Sequence, residues 1–126
     1  MDDVTQRDHV TCDVVIVGAG PAGLAAAIRI KQRAPDMTVI VVEKGAEPGA
    51  HSLSGMVMDP SALDALLPDW RKDPDRPLQT EVTQDHFAFL TSERAISLPE
   101  RLFPPLMSNK GCFIGSLGKV VAYLAK

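Results

Sequence analysis

Gly18, Gly20 and Gly23 fall in a G-x-G-x-x-G spacing within the run GAGPAG, and Glu43 follows the last of them by twenty positions. Glycines and an acid so placed can recognise a dinucleotide. Gly18 permits a tight turn, Gly20 has no Cβ and lets a pyrophosphate reach the backbone, and Gly23 lets a helix lie close on a sheet. Pro21 suits the first helical turn, where its missing N–H has no intrahelical partner anyway. The free amides of that turn, together with the helix dipole, would then face the phosphates. A carboxylate about 20 residues on takes ribose hydroxyls and repels a 2′-phosphate, which disfavours NADP. These residues alone do not separate FAD from NAD, because both cofactors carry the same ADP half.

Strand, helix and strand must flank such a turn. CDVVIV is a short β-branched run, expected to be a central parallel strand buried on both faces. AGLAAAIRIKQRA reads as the helix, with Ala27 one turn after Gly23 keeping the sheet-facing side narrow and a break before Pro35. MTVIVVEK reads as the second strand and delivers Glu43 at its end. The fifteen residues Val14 to Ile28 carry no charge. A spanning helix needs about 18 apolar residues, and this shorter run is interrupted by glycine and proline. The preceding residues hold four Asp against one Arg, the wrong balance for a signal peptide.

The composition is ordinary for a soluble globular chain. Of 126 residues 45% are apolar and 23% charged, enough for one domain or a piece of a larger one. A net charge of −3 gives no reason to expect a nucleic-acid partner. Cys12 and Cys112 stand a hundred positions apart and form no metal-binding spacing, which leaves a disulfide between them or, preferred, two buried free thiols.

The stretches DVVIVGAGPAGLAAAIRIKQ, VVEKGAEPGAHSLSGMVMDPSALDALLPDW, VTQDHFAFLT and PPLMSNKGCFIGSLGKVVAYLA resemble the N-terminal part of the electron-transfer flavoprotein:ubiquinone oxidoreductases. The GAGPAG turn is common to many flavoproteins, whereas GAHSLSG…DP…LLPDW is more specific to this family. The resemblance implies a Rossmann-like FAD/NAD(P)-binding domain of the glutathione-reductase type, with a parallel sheet. Residues 1–12 would be a flexible leader, and 13–126 the N-terminal portion of the FAD-binding domain of a longer enzyme, ending after its second helix. FAD would lie extended, its pyrophosphate wrapped by Gly18, Ala19, Gly20, Pro21, Ala22 and Gly23, its adenosine ribose on Glu43, and Lys44 alongside. Gly49, Ala50, His51, Ser54 and Gly55 would run beside the diphosphate toward the flavin, with Ser54 donating a hydrogen bond to the cofactor. His51 has two readings, a donor near the flavin or, preferred, a structural histidine fixing the loop.

The family resemblance also implies the reaction and its setting. Electrons would pass from reduced electron-transfer flavoprotein through a [4Fe–4S] cluster and FAD to ubiquinone. The cluster's ligands would lie outside this chain, since neither Cys12 nor Cys112 sits in a cluster motif. Such an enzyme would sit peripherally on the inner face of a bacterial plasma membrane, or on the mitochondrial inner membrane of a eukaryote. Two alternatives stay open: a geranylgeranyl-reductase-like or hydroxylase-like flavoprotein with the same turn, and a non-catalytic nucleotide-binding module.

The remaining stretches position rather than react. DPSALDALLPDW reads as a short helix with Ser61 as N-cap and Asp64 as the capping-box acid. Its Leu63, Leu66 and Leu67, followed by Trp70, would either pack on the core or dip into a membrane surface. RKDPDRPLQTEVTQD reads as a surface loop, HFAFLT and AISLP as a hairpin, and RLFPPLM as an extended packed segment. His86 and Glu93 carry no motif and are expected to be solvated, and His9 falls in the leader. Leu117, Val120, Val121 and Leu124 repeat at helical spacing, and are assigned to the second helix of a βαβαβ unit.

Overall fold

The computed structural model describes residues 9–126. The first element is β1 (Val14–Val17), followed by helix α1 (Pro21–Arg33) and β2 (Val39–Val42). β1 and β2 pair in parallel, Val14 opposite Val39 and Val17 opposite Val42. Asp13 ties the strand starts together, its carboxylate accepting the Thr38 N–H at 2.7 Å. α1 starts at Pro21 and ends at Arg33, two residues before Pro35, as the proline positions require. Lys31 and Arg33 lie in its last turn, where positive charge complements the helix dipole.

After β2 the chain leaves the parallel pair. β3 (Ser54–Met58), β4 (Thr80–Glu81) and β7 (Phe113–Ser116) form an antiparallel sheet in the order β3–β7–β4. β5 (Phe87–Leu90) and β6 (Ala95–Leu98) form the expected hairpin, Phe87 opposite Leu98. The short helix α2 (Ser61–Leu66) follows β3, and α3 (Leu117–Leu124) follows β7 directly. The last helix is therefore the third in chain order and continues an antiparallel strand. An excursion with its own sheet intervenes between β2 and the helix assigned to the βαβαβ unit.

One core joins these parts. Leu24 of α1, Leu63 and Leu66 of α2, Trp70, Leu78, Phe113 and the α3 residues Val120, Val121 and Leu124 are buried together. Trp70 meets Phe113 edge to face, with ring centroids 5.6 Å apart. Its indole N–H donates to Asp64 at 2.7 Å, which satisfies the one polar group such a buried ring carries. Arg71 closes the arrangement with two N–H bonds to the same carboxylate, both 2.9 Å, and its guanidinium lies 5.0 Å from the Trp70 ring centroid. Gly49 and Gly118 join the 47–52 turn to α3 backbone to backbone. Gly49 has φ +86°, and a Cβ there would stand 2.8 Å from the Gly118 carbonyl oxygen.

Several expectations need correction. β1 is not buried on both faces: Val15 and Val17 are 58% and 85% exposed, since the described residues cover only one side of it. Ser61 is the first helical residue of α2 and not its cap. Asp59 takes the capping role, its carboxylate accepting the Ser61 N–H at 2.9 Å. Asp64 is thereby free of capping and is spent on Trp70 and Arg71 instead. Leu63, Leu66 and Trp70 are 3%, 9% and 2% exposed, and Leu67 packs against the same core, so none of this set forms a membrane-dipping face. The 71–85 stretch is a loop in part only, because it contains β4 and plants Leu78 and Val82 in the interior. The RLFPPLM segment forms two 3₁₀ turns, and Leu102 and Leu106 project from it into solvent. Both cysteines are free but half-buried rather than buried. His86 and Glu93 are exposed, as expected, and so is His9. Residues 1–8 of the leader lie outside the described residues, and 9–12 form no helix or strand.

Candidate dinucleotide-binding site

The turn between β1 and α1 has the geometry that its glycines suggested. Gly18 has φ +101°, a backbone conformation that side chains disfavour. Its N–H donates to the Val42 carbonyl at 2.7 Å, so the turn hangs from the end of β2. Gly20 is the N-cap of α1, and a Cβ built on it would have no heavy atom within 4 Å. The space beside Gly20 is therefore an open shelf at the head of a thirteen-residue helix. At Gly23 the reverse holds: a Cβ would stand 2.1 Å from the Gly18 carbonyl oxygen and 3.2 Å from Ile16 Cγ2. Helix and turn approach there as closely as main chain allows. The N–H groups of Ala22 and Gly23 belong to the first helical turn, have no intrahelical acceptor, and lie beside Pro21, which has none to offer.

Glu43 stands immediately after β2 and reaches the same turn. Its Oε2 accepts the Ala19 N–H at 2.8 Å, and its Oε1 accepts the Gly45 N–H, also at 2.8 Å. The Gly45 N–H, then the Ala19 N–H, hold this carboxyl below its ordinary range, and the charge of His51 adds to them. It is therefore ionised at neutral pH. Each carboxylate oxygen has about two acceptor sites, so one on each remains for an incoming hydroxyl. The pair of vicinal hydroxyls on a ribose matches that set.

Gly18, Ala19, Gly20, Pro21, Ala22, Gly23 and Glu43 thus converge at one end of the parallel pair. His51 joins them, because its Nδ1 and Cε1 lie against Gly45 beside Glu43. Lys44 is exposed next to the acid. Ala50 is exposed on the 47–52 turn, and its N–H donates to the Glu47 carbonyl at 3.2 Å. Gly49 is committed to α3, whereas Ser54 and Gly55 open β3, with Ser54 exposed and registered opposite Ser116. The acid's partner Gly45 was missed from the sequence, where nothing distinguishes it from an ordinary loop glycine. A cavity of about 630 Å³, lined by Arg76, Lys119 and Tyr123 among others, lies elsewhere between the 74–80 loop and α3.

The model of the Thi4 family matches residues 1–65, which include the whole β1–α1–β2 unit, Glu43 and the 45–55 loop. The chain belongs to the Thi4 family. The Thi4-family chain is also 53% identical over 128 residues to the mitochondrial electron transfer flavoprotein-ubiquinone oxidoreductase of Dictyostelium discoideum, covering 98% of this chain and 20% of that protein. The enzymes of the same name from Pseudomonas aeruginosa and Rattus norvegicus are 49% and 50% identical, each over 96% of this chain and over 23% and 20% of their own lengths. The chain thus spans about a fifth of the curated relatives it matches. No described helix is long and apolar enough to cross a membrane.

Proposed function

We propose that this chain is the nucleotide-holding part of an FAD-dependent oxidoreductase that takes electrons from reduced electron transfer flavoprotein and delivers them to ubiquinone. The observation that carries the nucleotide reading is the joining of an open glycine shelf to an ionised Glu43 through the Ala19 N–H. The identity of the reaction rests on the similarity to enzymes bearing that name. FAD accepts electrons singly and can pass on a pair, which suits a step between a one-electron donor and a quinone.

The residues of the chain divide the binding task. Gly18, Gly20 and Gly23 leave room for the diphosphate, and the Ala22 and Gly23 amides with the helix dipole offset its charge. Glu43 orients the adenosine ribose and excludes a 2′-phosphate by repulsion. Lys44 flanks the ribose. Gly49 to Gly55 carry the chain from the ribose end toward the flavin, where Ser54 donates a hydrogen bond. FAD would adopt the extended pose of the glutathione-reductase type.

Among the described residues no group of three or more potential metal ligands converges, so the residues described here do not fit a [4Fe–4S] cluster. A peripheral membrane contact, on a bacterial plasma membrane or the mitochondrial inner membrane, has different residues to support it than α2. Phe89 and Ile96 are cross-strand partners on one face of the hairpin and are 61% and 52% exposed. An exposed apolar face of this kind marks a surface that is covered in use.

Purification of the full-length protein tests the reading. Stoichiometric bound FAD, reduced by reduced electron transfer flavoprotein and reoxidised by a short-chain ubiquinone, is expected. A protein that purifies with NADP, or with flavin that this donor does not reduce, would overturn it.

A further inference from the structure

We infer that His51 is a positioning residue for the adenosine end of the cofactor, acting through Glu43. This rests on the reading of Glu43 as the ribose acid and adds to it how that acid is held.

The argument starts from Gly45. The point where a Cβ on this residue would stand lies 3.2 Å from Glu43 Oε1, 3.2 Å from His51 Nδ1 and 3.2 Å from His51 Cε1. Carboxylate and imidazole therefore press on one spot from two sides, and glycine is the residue that leaves the spot empty. Glu43 is an acceptor for two backbone amides from different segments, Ala19 in the turn and Gly45 in the following loop. Two hydrogen bonds fix the carboxylate's direction only while the Gly45 segment stays where it is. No side chain on Gly45 can brace that segment, and the His51 ring packed beside the empty spot braces it instead. The ring comes back to Glu43 across the 45–51 loop, whose own turn is closed by the Ala50 and Ser52 N–H bonds to Glu47 and Gly49. The far end of this loop is anchored by the contact of Gly49 with Gly118. His51 is thus the side chain through which an anchored loop holds the acid in line with the ribose hydroxyls. It touches the acid's surroundings and not the reacting atoms, so its role is orientation, not catalysis.

The test compares ADP with 2′,3′-dideoxy-ADP, which lacks the hydroxyls Glu43 would bind. Dissociation constants are measured calorimetrically on the full-length protein after flavin removal. Wild type is expected to prefer ADP about tenfold or more, since hydrogen bonds to a charged acceptor are the stronger kind. Glu43→Gln should abolish most of that preference. His51→Ala should cut it at least threefold while changing dideoxy-ADP affinity less than twofold, because only hydroxyl recognition is misaligned. His51→Gln, which restores length and a polar end, should recover at least half of the preference. His51→Ser, measured the same way, replaces the alanine variant if that one does not accumulate. A His51→Ala protein that keeps the full preference, or loses affinity for both nucleotides equally, overturns the role of His51 and leaves the Glu43 reading standing. A wild type without any preference overturns both.

Discussion

Two alanine substitutions, three residues apart, should have opposite consequences. At Gly23 a Cβ would stand 2.1 Å from the Gly18 carbonyl oxygen. Ordinary van der Waals contact begins near 3.4 Å, so about 1.3 Å of separation is missing. The obstacle is main chain on both sides, and helix α1 would have to move off the turn. Overpacking of this kind costs about 1–3 kcal/mol, and a backbone obstacle places Gly23→Ala near the upper end. At Gly20 the same methyl meets no atom within 4 Å, and the backbone there (φ −77°, ψ 178°) is open to any residue. Alanine is a poorer N-cap than glycine but leaves a less flexible unfolded chain, so the net change should stay within ~1 kcal/mol. The Gly20 methyl would instead fill the shelf where the diphosphate is placed. Urea unfolding of the flavin-free protein, paired with flavin titration, separates the two effects. Gly23→Ala should lower the unfolding midpoint, whereas Gly20→Ala should leave it in place and weaken FAD at least tenfold, which is ~1.4 kcal/mol. A Gly20→Ala protein with undiminished FAD affinity would refute the assignment of this shelf to the phosphates.

Other expectations can be checked with similar tools. Trp70→Ala should cost ~3–5 kcal/mol in denaturant unfolding, because it empties a 2%-exposed core position and strips Asp64 of a donor. On the apolar hairpin face, Phe89→Ser combined with Ile96→Ser should weaken sedimentation with anionic phospholipid vesicles at least tenfold while leaving the melting temperature unchanged, since both side chains are solvent-exposed in the fold. Asp85 accepts the Asn109 N–H at 2.7 Å, with the Asn109 amide and the Ser108 hydroxyl adding to it. These bonds, the Asn109 backbone N–H first, lower its pKa below the ordinary aspartate range. A carboxylate whose folded value is depressed contributes stability that is present above its unfolded value near pH ~4 and is lost as pH falls through the folded value. Amide exchange at Asn109 should therefore accelerate, relative to its intrinsic rate, as pH drops below about 4, and Asp85→Asn should remove that pH dependence.

The β1–α1–β2 unit and its site were legible because local rules decide them. Glycine spacing, a proline at the helix start and two β-branched runs all act within a few residues of where they stand. Glu43 could be found by counting, but its bond to Ala19 could not, since that depends on the parallel register bringing residues 24 apart into contact. Beyond β2 the elements depend on distant partners. Leucines at helical spacing beside a tryptophan look alike whether they face lipid or protein, and only the placement of Phe113 and Leu78 decides that α2 faces inward. β4 is two residues long and exists because β7 offers an edge to pair with. Asp64 stands at capping-box spacing from Ser61, but α2 starts a residue early, so Asp59 takes the Ser61 N–H and Asp64 is bonded instead to Trp70 and Arg71, which lie beyond the helix. The two proline-bounded 3₁₀ turns read as packed because their side chains are apolar, whereas Leu102 and Leu106 project outward.

The seam between Gly49 and Gly118 has a consequence for how this region can vary. Main chain meets main chain there, so the distance between loop and helix depends on no side chain that drift could enlarge or trim. Substitutions at the exposed Glu47, Ala50 and Lys119 around it should be nearly silent, whereas a single methyl at Gly49 would both strain its φ of +86° and strike the Gly118 carbonyl. A library randomised at positions 46, 47, 49 and 50 and read for folding should therefore return a permissive profile broken at Gly49, so that these neighbours can be redecorated without the loop losing its place.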